Sequence, residues 1–209
     1  MEIKDRIREK AEELFRIYGI RSVTMDEIAN HLGVSKKTIY QSFSDKSGLV
    51  DEVTRQTLEK SKKNCEYCKK EAKDAVHEIV LTIGTLKEIM DQMNPSVLFD
   101  LERGYPGSYK RFLDFMYDYL YDVIVENLQW GKKEGLFRED INESVYAKVR
   151  LGTITIPFNE KMFPKSKYVL FEVQQEIHRM FLYSIVSAKG QKLIEKYFKE
   201  EPAKTTNPK

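Results

Sequence analysis

Residues 33–46 read GVSKKTIYQSFSDK. The stretch is too short and too polar to form a core segment, and a helix of this length does not stand alone in water. It nevertheless carries a turn glycine, Gly33, a serine placed as an N-cap, Ser35, and two apolar residues four apart, Ile39 and Phe43. Advancing about 100° per residue from Ile39 keeps Phe43 on the same side. Lys37 and Gln41 then point away, with Thr38 and Tyr40 flanking them. The spacing predicts a short helix anchored inward by two side chains and presenting a polar face to its surroundings.

Working outward, Thr24-Met25-Asp26-Glu27 has the pattern of a capping box, and Val23 with Ile28 forms the accompanying hydrophobic staple. A second helix therefore starts after Thr24 and ends at Leu32-Gly33. Val34 with Ile39 repeats the staple at the third. Upstream, Ile3, Ile7, Ala11, Leu14, Phe15 and Tyr18 stripe a first helix ended by Gly19. Downstream, a longer helix starts near residues 44–46, carries Leu49, Val50 and Val53, and runs through a charged surface past Lys70. Two short helices joined by a glycine-containing turn are the pattern of a helix-turn-helix.

The outward face suits DNA. Lys36 and Lys37 stand at a helix N-terminus, where free amides already favour phosphate. Thr38 and Tyr40 offer hydroxyls to backbone oxygens, and the Tyr40 ring suits a thymine methyl. Gln41 has the geometry for a bidentate contact to adenine and Lys37 the reach for guanine. Lys46, at the start of the next helix, is a phosphate candidate. The competing reading is a solvated polar face on an ordinary helical bundle. Caps, staples, glycine turn and polar face together weigh against it.

The run TMDEIANHLGVSKKTIYQSFSDKSGLVDEV resembles the DNA-binding region of the tetracycline-repressor (TetR) family. The residues that carry the resemblance are Thr24, Ile28, Ala29, Gly33, Val34, Ser35, Thr38, Ile39, Tyr40, Phe43, Lys46 and Leu49, within roughly the first 55 residues. EGLFRED and SIVSAKGQKLIEKYF are weaker echoes further along. The resemblance implies an all-helical, homodimeric transcription regulator, usually a repressor. By analogy it implies DNA contacts from Thr38, Tyr40 and Lys46. The full set of DNA-binding candidates is Thr24, Ser35, Lys36, Lys37, Thr38, Tyr40, Gln41, Ser42 and Lys46. Relatives often carry an aromatic residue where this chain has Gln41 and a histidine where it has Ser42, which implies a distinct operator preference.

The bulk composition fits. The chain has 209 residues, 41% hydrophobic and 11% aromatic, so it can bury a core. A net charge of +2 means that any nucleic-acid surface is local. No run approaches the ~18 apolar residues of a membrane span, and charge begins at Glu2, so a soluble cytoplasmic protein without membrane association is expected. Cys65 and Cys68 form a CxxC pair, but His31, His77 and His178 are far away in sequence. The pair reads as two small side chains one turn apart on a charged helix, with no metal and no cofactor expected.

The expected architecture is all-α: a helix-turn-helix domain over 1–50, a helical-bundle effector and dimerisation domain over 51–200, and a polar tail at 201–209 expected to be disordered. Helices are expected over 75–93 and 96–103, then a long amphipathic helix striped by Phe112, Phe115, Met116, Tyr119, Leu120, Val123 and Ile124 and ending before Gly131. Asn142 caps the next, which stops at Pro157. Leu170, Val173, Ile177, Phe181 and Ile185 stripe a later one, interrupted at Gly190 before a last helix with Leu193, Ile194, Tyr197 and Phe198. Aromatic and methionine side chains line apolar pockets and also fill ordinary cores. Phe112, Met116, Tyr119 and Phe158 are the candidates for touching a small apolar or aromatic effector. Val173, Ile177, Phe181 and Ile185 are the candidates for a homodimer interface on the way to a palindromic double-stranded operator. An enzyme on a helical bundle finds no support, since there is no phosphate loop, Glu-x-x-His repeat or nucleophile elbow. A helical protein regulated by another protein, or acting as an activator, is the alternative.

Overall fold

A threonine that caps, a glycine that turns and a serine that caps again shape the first part of the chain. In the computed structural model, which describes residues 2–90 and 92–200, the capping box at Thr24 is complete. Thr24 N donates to Glu27 Oε2 at 2.6 Å and Glu27 N donates to Thr24 Oγ1 at 3.1 Å. The bond from the Thr24 backbone, followed by that from its side chain, holds the Glu27 carboxyl below its ordinary range. Gly33 closes the helix in the left-handed region with φ 65°, where a side chain would be strained. Two residues on, Ser35 Oγ accepts from Thr38 N at 3.1 Å and starts the next helix.

The helices run in the order α1 (Ile3–Tyr18), α2 (Met25–Leu32), α3 (Lys36–Ser42), α4 (Lys46–Glu71), α5 (Ala75–Met90), α6 (Ser96–Gly104), α7 (Pro106–Asp114), a π segment (Phe115–Leu120), α8 (Tyr121–Lys133), α9 (Glu143–Ile154), a 3-10 turn (Ile156–Phe158), α10 (Leu170–Ile185) and α11 (Ala188–Glu200). Among the described residues the extended structure is a single isolated bridge between Phe137 and Val186. The fold is all-α, with a helix-turn-helix domain at the N-terminus and a larger helical domain after it. None of the described helices is long and apolar enough to cross a membrane.

Two compact units result, Met1–Lys60 with Gln92–Asp114, and Ser61–Asp91 with Phe115–Lys209. The first differs from the expected 1–50 because α6 and α7 pack into it. Leu101 is buried in the same cluster as Ile7, Ile28, Ile39 and Leu49, and Val97, Tyr105, Tyr109 and Phe112 pack against that cluster. The core of the second unit gathers Ala75, Val80, Leu128, Phe137, Leu182 and Ile194 from five segments. The expected tail at 201–209 lies outside the described residues.

Two glycines act differently from the sequence reading. Gly131 does not end a helix, since α8 continues to Lys133. Gly190 does not interrupt one either. It lies inside α11, and the break falls at Val186-Ser187. Both are sites of close approach to one turn. A Cβ at Gly131 would lie 2.1 Å from the Phe137 ring, and one at Gly190 would lie 2.2 Å from Leu136 O. Cys65 and Cys68 are free thiols inside α4. Burial, the largest cause for each, pushes them up to about 12 and about 11, which suppresses the reactive thiolate. Among the described residues no group of three or more His, Cys, Asp or Glu is arranged to hold a metal ion.

Candidate nucleic-acid interface

Helix α3 is held by what it buries. Ile39 is fully buried and Phe43, at the C-cap, is 6% exposed. Val34 packs against the same core. With those side chains facing inward, the remaining polar ones divide into two groups. Thr24 and Ser35 are engaged as caps. Thr38 Oγ1 lies 2.9 Å from Ser35 Oγ, and Ser42 Oγ donates to Thr38 O at 3.2 Å. Lys36 Nζ donates to Asp26 Oδ2 at 2.5 Å, a hydrogen bond that raises its pKa and ties the start of α3 to α2. Lys37, Tyr40 and Gln41 make up the second group. All three are exposed, and among the described residues none forms a hydrogen bond or ion pair.

Lys46, the phosphate candidate, is engaged within the chain. Its Nζ donates to Ile20 O at 2.6 Å, and burial lowers its pKa while Asp100 and Glu27 act in the opposite sense. Asp100 Oδ2 in turn accepts from Arg21 N at 2.9 Å. The turn between α1 and α2 is thus braced at a carbonyl by Lys46 and at an amide by Asp100. Neither brace is visible in local sequence pattern, because the partners stand 26 and 79 positions apart.

This arrangement is a compact helix-turn-helix with one exposed polar face, and residues 7–53 match the family model described as bacterial regulatory proteins, tetR family. Those residues are similar to the DNA-binding region of TetR-family regulators. The TetR match covers the helix-turn-helix, and the likeness extends beyond it. An uncharacterized HTH-type transcriptional regulator, YvaF of Bacillus subtilis, is 23% identical over 168 residues, covering 79% of this chain and 87% of that one. The crystal structure of a TetR-family regulator from Agrobacterium tumefaciens superposes with a TM-score of 0.74 at 17% identity, covering 88% of this chain and 97% of that one. A transcriptional regulator from Saccharomonospora viridis, solved in complex with choline, gives 0.69 at 22% identity over 88% and 97% of the two chains. TetR-family members are DNA-binding transcriptional regulators and not enzymes.

In the second unit the effector candidates separate. Met116 is buried on the π segment. Tyr119, one turn on, stacks on Phe115 with centroids 5.6 Å apart and donates to Lys62 O at 3.3 Å. Phe158 is half-buried on the 3-10 turn. The π segment and the 3-10 turn both pack against α9. Phe112 is a correction, since it packs against the core of the first unit.

The interface candidates also change. Ile185 is fully buried in the chain's own core and cannot meet a second copy. Phe181 packs partly against that core, and Val173 and Ile177 are half-buried. The exposed apolar side chains of α10 are instead Met180 at 71% and Tyr183 at 45%. The buried face of α10 runs through Leu170, Gln174, His178, Leu182 and Ile185, so the apolar stripe meets it only at Leu170 and Ile185.

One cluster had no counterpart in the sequence reading. Arg150, Gln174 and His178 are buried together between α9 and α10. The available signal was an arginine on the buried stripe of α9, between Ala147 and Leu151.

Proposed function

We propose that this chain binds a palindromic operator as a homodimer, reading DNA with the exposed face of α3, and that it represses transcription until a small-molecule effector releases it. The observation that carries the reading is the group Lys37, Tyr40 and Gln41: exposed, without intramolecular partners, and displayed on a helix anchored from behind by Ile39 and Phe43. Lys37 and Gln41 read base edges, while Tyr40, Thr38 and the α3 N-terminus contact phosphates. Lys36 and Lys46 position the reading helix through Asp26 and Ile20 O.

A single recognition helix makes too few contacts to select an operator. Two copies place two such helices in half-sites about 34–36 Å apart. The exposed Met180 and Tyr183 of α10 support pairing through that helix. A structure of the same fold solved with choline supports a small-molecule effector. The effector acts by binding better to a dimer whose recognition helices are wrongly spaced for DNA.

Fluorescence anisotropy with the protein's own upstream DNA tests the reading, and selection from random DNA gives half-site sequence and spacing. Saturable, sequence-selective binding with a two-fold symmetric motif is expected. Only weak, salt-quenched binding without sequence preference would overturn it.

A further inference from the structure

Arg150 is 6% exposed, on the inward stripe of α9. Among the described residues it forms no ion pair, and its contacts are neutral. One terminal nitrogen donates to Thr153 Oγ1 at 3.0 Å, and the other lies 2.5 Å from His178 Nε2 and 2.9 Å from His178 Nδ1. The Phe181 ring centroid is 5.8 Å from the guanidinium carbon. Burial lowers the Arg150 pKa to about 10, which still leaves a full positive charge at neutral pH.

Its neighbours do not supply the missing charge. His178 is 3% exposed and is pushed well below the ordinary histidine range by burial and then by Arg150, so it is neutral. Gln174 is 1% exposed. Its Nε2 lies 3.2 Å from His178 Nδ1, and its Oε1 has no hydrogen-bond partner. The last turn of α9 offers only the partial negative charge of its free carbonyls. Among the described residues the other buried oxygen without a partner, Glu88 Oε1, belongs to α5, and Glu88 makes no ion pair with Arg150. A cation without a counter-charge and an amide oxygen without a donor therefore sit in one buried cluster. Proteins normally pair such groups, because leaving them unpaired is costly.

We propose that Arg150, with Gln174 and His178 beside it, is the head-group site for an effector bearing a single carboxylate. A planar carboxylate takes two parallel hydrogen bonds from a guanidinium, and its one negative charge matches the one positive charge present. A phosphate monoester would bring more charge than the cluster can neutralise. The apolar remainder of the ligand lies toward the segments packed against α9, the π segment with buried Met116 and the 3-10 turn with Phe158. This inference rests on the reading of the second unit as an effector domain.

The test uses the full chain without DNA. Thermal melting and calorimetric titration are run with octanoate, decanoate, dodecanoate, benzoate and phenylacetate, with 1-decanol and decyl phosphate as matched controls. At least one carboxylate is expected to raise the melting temperature and saturate, with the matched alcohol about 10- to 100-fold weaker, the range expected for a hydrogen bond to a charged group. Arg150→Met is expected to lose affinity by a similar factor, and Arg150→Lys to recover part of it. If Arg150→Met does not fold, the comparison of acid with alcohol on the unaltered protein still decides. Equal binding of acid and alcohol, preference for decyl phosphate, unchanged affinity in a folded Arg150→Met, or no binding by any of the carboxylates would each overturn the proposal. An operator titration then separates the two readings. A carboxylate that binds through Arg150 without affecting DNA binding leaves the site standing and removes release by effector. Release by neutral compounds alone does the reverse.

Discussion

On α3, Lys37, Tyr40 and Gln41 lack intramolecular partners and face water. Between α9 and α10, Arg150 lacks a counter-charge and Gln174 Oε1 lacks a donor, and both face protein. Water satisfies the first group at no cost to folding, so those side chains are free for an external partner. The described protein groups give the second neither a counter-charge nor a donor to Gln174 Oε1, a penalty that a complementary ligand can relieve. An exposed polar face shows where the molecule is able to reach out. An unpaired buried one carries the stronger demand for a particular chemistry.

The contrast can be broken first at the anchor of α3. Ile39→Ala removes a fully buried side chain and is expected to cost about 2–5 kcal/mol in urea unfolding, abolishing operator binding along with the fold of α3. An unchanged unfolding midpoint would mean that α3 is not held from behind. In the second unit, Gly190→Ala drives a Cβ against the Leu136 carbonyl and is expected to cost about 1–3 kcal/mol by the same measurement. A neutral result would show that the turn is free to move away.

Acid titration sharpens the buried side of the comparison. His178 has a folded pKa below its unfolded one, so the folded state takes up fewer protons. Stability should therefore be intact above about pH 6.5 and fall as the pH drops below it, by roughly 1.4 kcal/mol per pH unit until the folded pKa is reached. Glu78 has the opposite sign, because burial raises its carboxyl and acidification relieves that strain above the unfolded carboxylate range. A flatter acid limb in His178→Gln assigns the fall to His178. An identical limb rules it out.

Smaller effects test the exposed side. Ser35→Ala should cost about 1 kcal/mol of stability by loss of the α3 cap, whatever DNA is present. Gln41→Ala should leave the unfolding midpoint within about 0.5 kcal/mol while changing the base preferred at one half-site position in binding selections. A change in stability without a change in preference would show that Gln41 belongs to the fold and not to the reading face.

What was legible in the sequence follows the range of the interactions. The capping box at Thr24 and Glu27, the cap at Ser35 and the pair Ile39 and Phe43 all depend on neighbours within four residues, and each has its expected geometry. Gly131 and Gly190 were misread as helix stops because their role is set by a turn at residues 135–137, which no local pattern connects to both. In the sequence, the stripe that carries Phe112 runs on without a break into Phe115 and Met116. The stripe changes phase at the π segment, so Phe112 packs against a different core. Lys46 looked free because its acceptor, Ile20 O, is a backbone atom and leaves no trace in residue type. Residue type alone gives no sign that Arg150 is buried, although its three-residue spacing from Ala147 places it on the buried stripe.

The unpartnered face of α3 also bears on how such a protein changes over generations. Side chains at positions 37, 40 and 41 contribute little to holding the helix that displays them, so substitutions there meet no stability threshold. If the proposed reading face is right, a duplicated copy can exchange them one at a time and remain folded at every step, acquiring a new operator while the caps and anchors beneath stay fixed. The scaffold and the address are written in separate letters of the same seven-residue helix.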